Sequence, residues 1–182
     1  MKHILPILTL TTLAAAASAQ AAAPAGLSYN RVGVSREGQN NNLSVSHLLG
    51  SSNVLLALST HTNEVNGGWN NDGYGYTFLS VGYVFKNVAS GVDATVYLGA
   101  GNNETNSAVG VNLRRSLSEV YAGLEVALGY ENREGSDSNA NQSAWSYELA
   151  YNINKQFQVA YGITDQKGVD SNLNTLTVRY NF

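Results

Sequence analysis

The stretch TLTVRYNF, residues 175–182, alternates strictly. Leu176, Val178, Tyr180 and Phe182 fall on one side of an extended chain, and Thr175, Thr177, Arg179 and Asn181 on the other. A period of two over eight residues reads as a strand. The alternation alone leaves open which face is buried. That choice separates a soluble sandwich from a barrel in a membrane.

The same period recurs towards the N-terminus in Phe157–Thr164, Trp145–Ile153, Val120–Glu131, Val109–Arg114, Val92–Gly99, Phe78–Phe85 and Val54–Ser59. Residues 43–49 and 27–36 are strand-like but less clean, with a bulge or register change expected near Tyr29 to Val34. The count is ten strands, with eight as the alternative because the N-terminal end is weakly patterned. Tight connections at 50–53, 87–91, 115–119 and 152–156 alternate with Asn/Gly/Asp/Ser-rich loops at 36–42, 64–75, 101–106, 132–143 and 165–172. Short turns at one end and longer polar loops at the other are the layout of an outer-membrane barrel, with both termini at the short-turn, periplasmic end.

Three features choose the barrel over the sandwich. The non-apolar face is mostly Gly, Ala, Ser, Thr and Asn. A water-facing exterior would carry Lys and Glu, whereas a narrow barrel needs small residues inside. The apolar face of the five clearest strands carries no charge, as lipid demands, where Arg or Lys costs about 2–4 kcal/mol at the midplane. The aromatics also sort by height. Tyr83, Phe85, Tyr151, Phe157, Tyr180 and Phe182 fall at the lower rim, and Tyr130, Trp145 and Tyr147 near the upper one. Two such belts are the interfacial girdles of a transmembrane barrel.

Composition agrees. Of 182 residues only 13% are charged, against about 25% in ordinary soluble domains. The net charge of −3 and the lack of any basic cluster argue against a nucleic-acid partner. Residues 1–19 have a short basic start (Lys2, His3), an apolar run from Ile4 to Ala17 and small-residue cleavage patterns. They are expected to be a signal peptide cut after Ala19 or Ala21, with 20–26 a flexible leftover and 27–182 the barrel. There is no cysteine, although export leads to a compartment where disulfides form. A closed ladder of strand hydrogen bonds holds a fold without them.

The sequence thus resembles the small outer-membrane β-barrel proteins of Gram-negative-type envelopes, the porin-like and opacity-like barrels, by pattern over nearly all of residues 27–182. The resemblance implies an assembly signal in Leu176, Val178, Tyr180 and Phe182, read by the barrel-assembly machinery.

Candidate site residues follow from the expected faces. Arg31, Lys86, Arg114, Glu125, Glu148 and Arg179 point inward and are expected to form a lumen charge network, with Glu125 and Glu148 sharing Arg114 or Arg179. Trp69, Tyr74 and Tyr76, set among Asn and Gly, are aromatic anchors suited to contact with proteins or surface glycans. His61, near Ser59, Glu64 and Asp72, is the candidate for a rim active site, yet no spacing matches a catalytic motif. Asp137, Asn139, Asn141 and Glu148 mimic part of a Ca²⁺-loop spacing, but Gln142 stands where that loop needs Gly. No cofactor, metal or enzyme activity is expected.

The resulting expectation is an outer-membrane barrel with a filled, salt-bridged lumen, serving a structural or interaction role through its loops. A narrow pore for ions or small solutes is the first alternative. A lipid-modifying enzyme or protease is the second. Expected partners are outer-membrane lipid, the assembly machinery, other envelope proteins and surface glycans.

Overall fold

The alternating segments form ten antiparallel strands in a computed structural model, which describes residues 27–38, 40–63, 76–102, 105–135, 142–167 and 172–182. They are β1 (Arg31–Glu37), β2 (Asn40–Leu48), β3 (Val54–Asn63), β4 (Tyr76–Ala89), β5 (Val92–Gly101), β6 (Thr105–Ser116), β7 (Leu124–Gly135), β8 (Gln142–Asn152), β9 (Phe157–Gln166) and β10 (Leu173–Asn181). No helix occurs among the described residues. The signal peptide and leader expected at 1–26 lie outside them.

Every strand pairs with its chain neighbours, and β10 returns to β1, so the sheet closes into a barrel. The closing seam runs from Arg31↔Asn181 to Glu37↔Thr175 without a break. A closed ring leaves no strand edge unpaired, which hydrocarbon requires.

Burial confirms which face is which. Many large apolar side chains are exposed, Leu98 at 66% and Leu79 at 55% among them, while the largest fully buried side chains are Gln158 and Val84. This inverts the packing of a water-soluble domain and places the apolar face of every strand outward. Inside, glycines make room for larger neighbours. A Cβ on Gly99 would collide with the Phe78 ring, and one on Gly110 with the Tyr97 ring. The missing side chains let these two aromatics lie flat over the adjacent strand and fill part of the lumen.

Four sequence expectations need correction. Val120 and Ala122 belong to a turn, and β7 begins at Leu124. The turn is closed by Leu117 N donating to Leu124 O (2.8 Å) and Val120 N donating to Leu117 O (2.8 Å), with Gly123 in the left-handed region at φ +85°. The alternation at 120–122 matches the phase of β7 but contributes no pairing. The loop expected at 36–42 is a tight hairpin, with Glu37 opposite Asn40. Gly38, at φ +59°, supplies the positive φ that such a turn needs. The bulge expected near Tyr29 to Val34 is absent, because β1 pairs in unbroken register on both sides. Register shifts occur instead between Phe85 and Ala89 and between Thr105 and Ser107. Finally, residues 27–30 are not strand and lie ahead of β1.

Candidate functional site

The segment before β1 leaves the barrel wall and crosses the lumen. Tyr29 is only 7% exposed. Its phenol donates to Asp93 Oδ2 on β5 (2.7 Å), and its carbonyl accepts from Ser46 Oγ on β2 (2.8 Å). Arg114 on β6 donates through Nη1 to the Ser28 carbonyl (2.9 Å) and lies 5.0 Å from the centre of the Tyr29 ring. In a ten-strand ring β6 stands opposite β1. The contacts of Ser28 and Tyr29 with β5 and β6 therefore span the barrel mouth at the end where both termini lie. Burial, and then the hydrogen bond to Asp93, push the Tyr29 phenol above its ordinary range.

From Arg114 a hydrogen-bonded chain runs around the wall. Arg114 Nη2 donates to Glu125 Oε2 (2.9 Å), and Asn152 Nδ2 donates to Glu125 Oε1 (2.7 Å). Gln158 Nε2 donates to Asn152 Oδ1 (3.0 Å), and Arg179 Nη1 donates to Gln158 Oε1 (2.9 Å). Arg179 also grips Glu148 with both nitrogens, at 2.7 and 2.5 Å, a two-pronged geometry that suits a planar guanidinium. Each carboxylate thus has its own arginine, where the sequence left the sharing open. Gly33 helps Arg179 lie against the wall, since a Cβ there would press on the Arg179 side chain at 3.3 Å.

Arg31 sits at the foot of β1, within electrostatic reach of Arg114, Arg179, Glu148 and Glu125. Among the described residues its Nη1 is buried with no hydrogen-bond partner. Lys86 is exposed, one residue past the Phe85↔Ala94 pair where β4 and β5 lose register, and stands apart from the chain. Asn152 and Gln158, both buried, are the members that sequence reasoning missed. Asn152 falls in a segment that reads as a turn, and a single Gln on an inward face carries no charge signal.

Farther up, Tyr97 Oη donates to Glu131 Oε2 (2.7 Å), and Glu131 pairs with Arg133. Between this layer and the floor lies a cavity of about 410 Å³. It reaches from Tyr29 and Arg31 to Ser35 and Thr164, and much of its wall is serine and threonine. From Arg179 to Thr175 on one wall it covers four residues, about 13 Å of strand. The lumen is charge-paired on its wall but is not filled, contrary to expectation.

The remaining candidates are dispersed. Leu176, Tyr180 and Phe182 are exposed on the outer face of β10 and its end, and Val178 sits opposite Val34 on the seam. Aromatic rings meet in pairs outside the wall: Tyr83 with Phe85 at 4.8 Å, Phe157 with Tyr180 at 5.4 Å and Tyr130 with Trp145 at 4.9 Å. Tyr151 packs with Tyr121 at 5.9 Å, and Tyr147 is exposed. Trp69, Tyr74, Glu64, Asp72, Asp137, Asn139 and Asn141 lie outside the described residues, as does the Tyr76 side chain. His61 is in β3, opposite Asn42 and Tyr76. Glu148 is committed to Arg179, and no group of metal-ligating side chains occurs among the described residues.

No protein-family model matches the chain, and no curated protein matches it in sequence. Among solved structures the chain is similar to the NanC porin, at 12% identity and a TM-score of 0.53, over 84% of this chain and 98% of that one. The KdgM porin aligns at 15% identity and a TM-score of 0.48, over 86% and 99%. The N-terminal β-barrel domain of OprF from Pseudomonas aeruginosa aligns at 17% and 0.38, over 84% and 94%. The likeness to NanC is one of fold, that of a porin-type outer-membrane barrel.

Proposed function

We propose that this barrel is a narrow pore of the bacterial outer membrane, passing ions or small hydrophilic solutes. The observation that carries the reading is the cavity of about 410 Å³ inside the closed wall, lined in part by hydroxyls and charged groups. A lumen serving only as a structural plug has no need of polar space. The porin-type fold agrees with a pore without establishing one.

The outer apolar face takes lipid as its partner. Both termini and the short turns face the periplasm, a placement supported by the even strand number and the lower aromatic belt. Leu176, Val178, Tyr180 and Phe182 present the pattern offered to the assembly machinery. Tyr29 and its ties to Asp93, Ser46 and Arg114 narrow the periplasmic exit, so conduction is slender. Recording across a planar bilayer tests the reading: discrete, salt-dependent current steps support it, and a silent bilayer containing folded barrel opposes it.

A further inference from the structure

We infer that the β6–β7 turn and the outer wall beside it form a docking site for a phospholipid headgroup that carries a phosphodiester and a primary amine. The inference rests on the reading that the apolar wall lies in lipid, and it is independent of conduction.

Arg115 stands on a face that is otherwise apolar here. It pairs with Val92 on β5 and with Val126 on β7, and Val126 pairs with Leu149 on β8. Paired residues share a face of the sheet. Leu149 is exposed on the outer face, so the row Val92, Arg115, Val126, Leu149 looks outward. Arg114, the preceding residue, is buried in the lumen, as alternation requires. A guanidinium on the lipid face is costly unless it reaches the polar boundary. That boundary is close. One outward step below the row, Leu124 pairs with Tyr151 of the lower aromatic belt.

The turn supplies the rest of the site. Val120 and Tyr121 are both highly exposed, at 73% and 61%. The Tyr121 ring folds back onto the wall, 5.9 Å from the Tyr151 ring. Val120 and the two rings thus extend the lipid-facing surface below the last strand pair, at the level where tyrosines meet headgroups. Glu119, from the same turn, accepts from Arg115 Nη2 (2.7 Å), and both side chains are exposed. An ion pair this open is weak and separates readily.

A zwitterionic headgroup fits such a pair. Its phosphodiester takes the guanidinium N–H groups of Arg115. Its ammonium donates to the Glu119 carboxylate that Arg115 releases. One exposed pair is replaced by two charge-assisted contacts. A quaternary ammonium has no N–H to donate, so the site prefers ethanolamine to choline. An anionic headgroup without an amine would set its charge beside Glu119.

The test is native mass spectrometry of the full barrel, folded in micelles that contain equal phosphatidylethanolamine and phosphatidylcholine. Wild type should retain phosphatidylethanolamine severalfold in excess of phosphatidylcholine. Glu119→Gln should abolish that excess, and Arg115→Gln should lower retention of both lipids severalfold. Lys155→Gln, at an exposed residue of the β8–β9 turn, should behave as wild type. Equal retention of the two lipids by wild type, retention of neither, or an excess that survives Glu119→Gln overturns the inference. So does a loss in Lys155→Gln equal to that in Arg115→Gln, which makes the attraction one of general charge. A barrel dimer in place of the lipid adduct also overturns it, because a second copy then covers the turn. If Arg115→Gln does not fold, Glu119→Gln decides. Insertion into vesicles of phosphatidylcholine alone checks the wall separately: insertion without headgroup selectivity removes the site and leaves the wall in lipid.

Discussion

The phenol oxygen of Tyr29 lies 2.7 Å from Asp93 Oδ2, joining a residue ahead of β1 to a strand on the far side of the ring. The bond turns the start of the barrel into a bar across its own exit. Tyr29→Ala removes the bar and should raise single-channel conductance severalfold. Tyr29→Phe keeps the ring and loses only the hydrogen bond. It should leave conductance near wild type and cost about 0.5–1.5 kcal/mol in a urea titration.

Arg114 and Glu125 are both almost wholly buried, with 6% side-chain exposure each. Glu125→Ala leaves a buried guanidinium short of its partner, and the expected loss is about 3–5 kcal/mol. The double change Arg114→Met with Glu125→Leu should recover much of it, because replacing both partners by apolar groups avoids the stranded charge. Reversible unfolding in lipid vesicles reads the difference. A double variant no more stable than Glu125→Ala would contradict the assignment.

Gly110 and Gly162 are both inward-facing glycines, but their surroundings differ. A Cβ on Gly110 meets the Tyr97 ring, whereas one on Gly162 has nothing nearer than 3.6 Å. Gly110→Ala should destabilise by about 1–3 kcal/mol through overpacking, and Gly162→Ala should stay within about 0.5 kcal/mol. Tyr97→Ala should relieve the first. Equal unfolding midpoints for the two glycine variants would contradict the packing of Tyr97.

Phe182 is tied to the closing seam as well as exposed at the end of β10. Its amide donates to the Asn30 carbonyl (3.0 Å), and its ring stacks near His47 at 6.2 Å. Phe182→Ala keeps the amide and removes the ring. It should lower insertion into the outer membrane without lowering export to the periplasm, and deletion of Phe182 should lower insertion further. Fractionation with a heat-modifiability gel checks both. Unchanged insertion in Phe182→Ala would remove the ring from the assembly signal.

Much of the wall was legible because period-two alternation reports faces directly. The outward placement of Leu79, Leu98 and Leu176 follows from it. What alternation does not report is who meets whom across the ring. The chain through Asn152 and Gln158 depends on register and on closure between β1 and β10, which are long-range facts. Tyr29 was hidden for a related reason. An aromatic in an apolar segment reads as wall, and its place in the lumen depends on Asp93 and Arg114, which lie 64 and 85 residues on. Lys86 shows the opposite error, where the correct inward phase ran past the point at which pairing with β5 breaks.

The central claim is that the lumen conducts past Tyr29. Single-channel recording of wild type and Tyr29→Ala, purified and shown folded, tests it most directly. The account predicts small discrete steps for wild type and steps severalfold larger for Tyr29→Ala. Silence from both, at protein densities where a known porin conducts, would contradict it.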